Sequence, residues 1–154
     1  MTTSDTWRLA APPETRDDDP RVTTVMSSRI VGITGDAGLA TALRLMDTSG
    51  VRHLPVFDGP QCRGLLLETD VVEHLVTGDP AERSTRRIAG LERPASVVTT
   101  AARRSDAARA MLRAGVDAVL VAERDRLVGI VTATDLIRSL AGPGQGEAAD
   151  GSRR

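Results

Sequence analysis

Residues 33–75 read ITGDAGLATALRLMDTSGVRHLPVFDGPQCRGLLLETDVVEHL, and residues 98–140 read VTTAARRSDAARAMLRAGVDAVLVAERDRLVGIVTATDLIRSL. The two stretches align without a gap at an offset of 65 residues, and twelve of the aligned pairs are identical, among them Gly50/Gly115 and Asp70/Asp135. Two copies at so long a period indicate a pair of similar small domains rather than a solenoid. Each half alone has too few residues for a large core, so we expect the halves to pack together and a functional cleft to lie between them.

Apolar spacing predicts the same order of elements in each repeat. In the first, apolar residues recur at helical spacing from Leu39 to Met46, with Asp36 as the expected N-cap and Gly50 as the residue that ends the helix. Pro55 restricts the following strand to an edge or an irregular position. Further strands are expected at 30–34, 51–57, 62–67, 96–99, 116–122 and 127–131, and further helices at 69–77, 105–114 and 133–140. This is a mixed α/β (α+β) fold of two β-α-β-β-α repeats with pseudo-two-fold symmetry.

The two ends of the chain differ in composition from the repeats. They are rich in Pro, Gly and Asp, so residues 1–20 and the tail at 142–154 are expected to be disordered. A short helical turn at 88–91 resembles residues 22–25, at an offset of 66 rather than 65. The expected domains are residues 21–78 and residues 79–141, the second including the connecting segment.

The composition argues against several classes of function. The net charge is −1 and the only aromatic residues are Trp7 and Phe57, so we expect neither a basic face nor stacking platforms for nucleic acid. No apolar run is long enough to span a membrane and the first residues lack the features of a signal peptide, so a cytoplasmic protein is expected. One cysteine, Cys62, and two histidines, His53 and His74, predict no disulfide and no metal site.

The strongest signal for a binding site is the segment from Gly129 to Asp135, where a buried strand leads directly into a helix. Free amides at the helix start and the Thr132 hydroxyl would favour an anion. Asp135, one turn further on, could accept hydrogen bonds from a vicinal diol such as ribose. The alternative interpretation is a helix N-cap at Thr132 with an acidic first turn. Neither a nucleophile elbow nor a P-loop is present, so no catalytic activity is expected.

These motifs resemble a tandem pair of cystathionine-β-synthase (CBS) domains, often called a Bateman module. The resemblance covers about residues 21–141. It rests on the order of three motifs at matching spacing in both repeats: Val51-Arg52-His53-Leu54-Pro55-Val56 after Gly50, Gly64-Leu65-Leu66 with Asp70, and Gly129-Ile130-Val131-Thr132 with Asp135.

The resemblance implies a ligand and a set of ligand contacts. Such pairs bind AMP, ADP, ATP or S-adenosyl compounds between their domains, and no other cofactor is expected. In the family pattern [ST]-x-x-D, Thr132 would meet phosphate and Asp135 would hold the ribose hydroxyls. The base would lie against the partner repeat, here at Thr34 and at Val51, Arg52, His53 and Pro55.

The first repeat departs from this pattern. Leu67 stands where the family has a hydroxyl, and Glu68 adds a negative charge beside it. The pseudo-symmetric site, built from Asp70 and Val116, is therefore expected to be the weaker one. Asp117 is expected to repel phosphate there, whereas Arg52 would attract phosphate in the Asp135 cleft.

Two functions remain open at this point. The first is a non-catalytic, ligand-sensing regulatory module that forms a homodimer through its second helices. A separate regulated protein of unknown identity is expected to respond to it, since no effector domain is fused to the chain. The second is a structural or dimerisation module whose ligand sites are degenerate. Intact Thr132 and Asp135 favour the first.

Overall fold

The computed structural model describes residues 18–142. The segments expected to be disordered therefore lie outside the described residues, except for Asp18 to Pro20 and Gly142. Among these, Asp19 accepts hydrogen bonds from the amide and the hydroxyl of Ser105, so it lies against the second repeat.

Both repeats have the predicted order of elements, which confirms the β-α-β-β-α pattern. A short 3-10 helix at Val22–Thr24 comes first. The first repeat contains β1 (Ile33–Thr34), α1 (Leu39–Ser49), β2 (His53–Asp58), β3 (Gln61–Leu67) and α2 (Glu68–Thr77). The second contains β4 (Val97–Thr99), α3 (Arg104–Ala114), β5 (Ala118–Glu123), β6 (Arg126–Thr132) and α4 (Ala133–Ala141). None of these helices has the length and apolar character that crossing a membrane requires.

Each repeat forms a three-stranded sheet in which the middle strand is parallel to the first and antiparallel to the third. β2, which contains Pro55, is a middle strand rather than an edge. The proline is tolerated because β1 pairs only with Val56 and Phe57, so no strand on that side requires an amide hydrogen-bond donor at residue 55. In the second repeat Leu120 replaces this proline and donates its amide to the Ser96 carbonyl at 2.9 Å, and β4 is one residue longer than β1.

The start of α1 differs from the prediction. Gly38, not Asp36, is the N-cap residue, and Asp36 instead accepts a hydrogen bond from the Thr34 hydroxyl. Asp36 is two residues too early in the chain for its carboxylate to reach the first amides of the helix. The predicted ends are confirmed, since Gly50 (φ 67°) and Gly115 (φ 63°) adopt the left-handed conformation that glycine favours.

The segments that precede the two repeats are exchanged between the cores. Val22 is fully buried in the core of the second repeat, where its amide donates to the Ala102 carbonyl. Ile88 is fully buried in the core of the first, where its amide donates to the Ala37 carbonyl. The ranges 21–78 and 79–141 therefore do not coincide with the two packing units.

A third buried cluster joins the halves. Leu65 of β3 packs with Ala118 and Leu120 of β5, and all three side chains are buried. Because this cluster draws on both sheets, the repeats form one unit, and the cleft is bordered by both.

Candidate functional site

A cleft of about 420 Å³ lies between the repeats, a size typical of small-molecule pockets. It brings together six of the seven residues predicted for the stronger site, from two distant parts of the sequence. The first repeat contributes Val51, Arg52, His53 and Pro55, and the second contributes Thr132 and Asp135. The expected proximity of these two motifs is therefore present in the structure.

Equivalent backbone hydrogen bonds tie the start of each second helix to the residue just before the neighbouring strand of its own repeat. The amide of Glu68, the first residue of α2, donates to the Arg52 carbonyl at 2.9 Å. In the same way the amide of Ala133, the first residue of α4, donates to the Asp117 carbonyl at 2.8 Å. Residues 52 and 117 are thus held beside the positive ends of helix dipoles.

Thr132 and Asp135 form a capping box at the start of α4. The amide and the hydroxyl of Thr132 donate to Asp135 Oδ2 at 2.8 and 2.9 Å, and the Asp135 amide donates to Thr132 Oγ1 at 3.3 Å. The alternative interpretation, an N-cap at Thr132, is thus present in the structure. It engages one carboxylate oxygen; the other, Oδ1, lies 3.9 Å from Arg138 Nη1 and keeps acceptor capacity for a ligand.

Thr34, which was predicted to border this cleft, lies elsewhere. Its hydroxyl donates to Asp36, and it lines a separate hollow beside Phe57. The reason is that β1 pairs with Val56 and Phe57, which lie farther along β2 than the cleft residues His53 and Pro55. The preceding residues, Ile30 and Val31, line the cleft instead.

Asp117 also departs from the expectation, which placed it in the Asp70 cleft. Its carboxylate Oδ1 lies 2.7 Å from His53 Nε2, and both residues line the Asp135 cleft. The His53 side chain is 10% exposed and that of Asp117 is 62% exposed. The contact joins equivalent segments of the two repeats.

At the weaker predicted site, Arg93 already engages Asp70. The guanidinium donates from Nε and Nη2 to the two carboxylate oxygens, each at 2.7 Å, and the Asp70 side chain is only 13% exposed. The hydrogen bonds from Arg93 hold the pKa of Asp70 below its ordinary value. Val116, the other residue predicted here, donates its amide to the Met111 carbonyl at the end of α3.

Arg93 was missed at the sequence level, although the sequence contained a signal for it. Leu65 and Arg93 exchange backbone hydrogen bonds, and so do Ile130 and Ser27, which makes Arg93 the counterpart of Ser27. The offset between these two is 66, the offset at which the turn at 88–91 matches residues 22–25. At this position one repeat therefore has the small side chain of Ser27 and the other has the long, positively charged side chain of Arg93.

The cleft carries charges of both signs. Arg29, Arg52 and Arg138 line it together with Asp117 and Asp135, and sequence reasoning missed Arg29 and Arg138. Within residues 18–142 no three His, Cys, Asp or Glu side chains are grouped so as to hold a metal ion. The arrangement thus offers hydrogen-bond acceptors, guanidinium donors and aliphatic walls.

The family model for the CBS domain matches residues 22–77 and residues 91–142. The chain belongs to the CBS domain family. Its two matched segments form a tandem CBS pair, as the repeat indicates.

Proteins similar to this CBS pair include the uncharacterized protein MJ1225 of Methanocaldococcus jannaschii. It is 30% identical over 117 residues, which are 75% of this chain and 41% of MJ1225, so the chain spans about two-fifths of that relative's length.

Solved structures that share the fold of this CBS pair include the following two. One is the CBS domain pair of protein MJ0100 in complex with 5′-methylthioadenosine and S-adenosyl-L-methionine (TM-score 0.71, 19% identity, 80% of this chain and 98% of that one). The other is the CBS domain of the bacterial CNNM/CorC family Mg²⁺ transporter in complex with ATP (TM-score 0.68, 20% identity, 80% of this chain and 88% of that one).

Proposed function

We propose that this CBS pair is a non-catalytic regulatory module that binds an adenosine nucleotide or another adenosyl compound in the Asp135 cleft. The observation that carries the proposal is the convergence of Thr132 and Asp135 from one repeat with Arg52 and His53 from the other. A ligand held by both groups would contact both repeats at once.

The chemistry of the cleft suits the parts of such a ligand. Asp135 Oδ1 is an acceptor for ribose hydroxyls, and the guanidinium groups of Arg29 and Arg52 are donors for phosphate. Val31, Val51 and Ile130 offer aliphatic surface against which a flat base can lie. The complexes of MJ0100 with adenosyl compounds and of the CNNM/CorC domain with ATP support adenosine as the shared ligand element.

Regulation would follow from the position of the cleft. A ligand that binds one relative arrangement of the repeats more tightly shifts the population toward that arrangement. A separate, regulated protein would bind differently to the two arrangements. The proposed location of both proteins is the cytoplasm. The second candidate function is a structural or dimerisation module. It is favoured by the engagement of Asp70 by Arg93 and by the capping box that uses Asp135.

Adding the ligand should raise the thermal stability of the chain. A compound that binds only the folded state stabilises it by about 2.7 kcal/mol at 100 times its dissociation constant. We expect a shift of the unfolding midpoint with at least one of adenosine, AMP, ADP, ATP and S-adenosylmethionine, and none with UMP as the control that keeps ribose phosphate. No shift with any adenosine compound would favour the structural module.

The CBS pair should also form a homodimer. Val72 of α2 and Ile137 of α4 hold equivalent positions and are 40% and 66% exposed, and Val76 and Leu140 on the same two helices are 71% and 69% exposed. Exposed apolar patches are typical of protein–protein interfaces, and these two helices would supply one. Light scattering should give twice the 16.3 kDa of the chain, and Ile137→Glu should reduce it toward one copy. A wild-type monomer at high micromolar concentration would contradict this.

A further inference from the structure

Asp117 places a carboxylate of the protein where the anionic part of a ligand would be stabilised. Its backbone carbonyl receives the first amide of α4, so the residue lies beside the positive end of that helix. Its carboxylate Oδ1 lies 2.7 Å from His53 Nε2, in the same cleft as Arg52. Helix start, imidazole and guanidinium are the groups that favour a phosphate.

A carboxylate in this position opposes a second anion in two ways. It engages His53 Nε2, which a phosphate oxygen would otherwise contact, and its charge repels a phosphate nearby. The competition is graded rather than absolute, because the Asp117 side chain is 62% exposed and is free to turn toward water. The His53 side chain is only 10% exposed and lines the wall of the cleft.

We propose that Asp117 is a specificity-determining residue that lowers the affinity of the Asp135 cleft for ligands with a negatively charged 5′ group. The inference rests on the proposed function and narrows its ligand class to adenosyl compounds whose 5′ substituent is neutral or cationic. A ligand phosphate that contacts His53 Nε2 has to displace Asp117 from it. Because that contact joins the two repeats across 64 residues, the displacement also removes a link between them.

The test is a calorimetric titration of the wild type and Asp117→Asn with AMP and with adenosine at one ionic strength. Removing a half-exposed charge beside an anion site should tighten AMP binding by about fivefold and change adenosine binding by less than about twofold. Asp117→Ala removes the hydrogen bond as well as the charge and should show at least the same gain for AMP.

Asp125→Asn is the matched control. It removes the same charge from the turn between β5 and β6, outside the cleft, and the left-handed conformation of residue 125 (φ 63°) suits asparagine. Its AMP affinity should equal that of the wild type. A gain for Asp125→Asn as large as that for Asp117→Asn would overturn the proposal, because the effect would then be one of net charge.

The outcomes separate the two proposals. If adenosine binds the wild type and both Asp117 variants bind AMP no better than the wild type does, the role of Asp117 is wrong and the proposed function stands. If neither compound binds any variant, the proposed function fails and the role of Asp117 fails with it, because removal of the carboxylate then admits no anion.

Discussion

Asp135→Ala should weaken the binding of adenosine and of AMP by at least tenfold. A carboxylate that accepts hydrogen bonds from a ribose diol in a half-buried site contributes about 1.5–3 kcal/mol per bond, and alanine offers no acceptor. Both ligands should lose affinity to a similar extent, because both carry the same ribose. Calorimetric titration measures the change directly, and an affinity within twofold of the wild type for both compounds would refute the ribose contact.

The same substitution also removes the capping box, so stability needs a control. The amide and the hydroxyl of Thr132 lose their carboxylate acceptor, whereas the amide of residue 135 still donates to Thr132 Oγ1, so the cost should be about 1 kcal/mol of unfolding free energy. Asp135→Asn keeps an oxygen that accepts from the Thr132 amide and loses the charge and the second acceptor. We expect Asp135→Asn to retain most of the wild-type stability and still to bind adenosine poorly. Restored binding in Asp135→Asn would mean that the alanine variant had failed through its helix and not through the ligand contact.

Arg93→Ala should produce the largest loss of stability among single substitutions of exposed arginines. Asp70 is 13% exposed and accepts two 2.7 Å hydrogen bonds from Arg93, so removal of the guanidinium leaves a largely buried carboxylate without these donors. We expect a cost of about 1–3 kcal/mol in urea unfolding at pH 7. Arg109→Ala, which breaks an exposed pair with Asp106 at 3.5 Å, is the matched control and should cost less than about 1 kcal/mol.

The effect of Arg93 should depend on pH in a defined direction. Arg93 lowers the pKa of Asp70 in the folded state below its ordinary value, so the folded state binds the proton of Asp70 less readily than the unfolded chain does. The stabilisation is complete above the ordinary pKa and is lost as the pH falls through the lowered one. The difference between the wild type and Arg93→Ala should therefore shrink below about pH 4. A difference that is equal for the two arginine variants at pH 7, or that grows in acid, would contradict the role of this pair.

The sequence was sufficient to predict the fold because the repeat gave each element a second, independent signal. Gly50 and Gly115 ended their helices as predicted, and the motifs of Thr132 and His53 met in one cleft. The N-cap predicted for α1 was wrong because the residue in that position is Gly38, which has no side-chain acceptor, and local spacing alone did not show that Asp36 would accept from the Thr34 hydroxyl instead.

Two errors at the site, those at Asp117 and Arg93, come from contacts between residues that lie far apart in the sequence. Asp117 and Arg52 hold equivalent positions in the two repeats, so the pseudo-symmetry predicted one of them in each cleft. Asp117 instead turns toward His53 because a donor lies 2.7 Å away in the other repeat. Arg93 was overlooked for a related reason: it lies in the connecting segment, and only the pairing of Leu65 with residue 93 brings it to Asp70.

The central claim is that the pair binds an adenosyl ligand at Asp135 and not at Asp70, whose carboxylate is engaged by Arg93. A paired calorimetric titration of Asp135→Ala and Asp70→Ala with adenosine tests it most directly. The account predicts at least a tenfold loss of affinity for Asp135→Ala and an affinity within about twofold of the wild type for Asp70→Ala. Equal losses in the two variants, or a greater loss for Asp70→Ala, would contradict it.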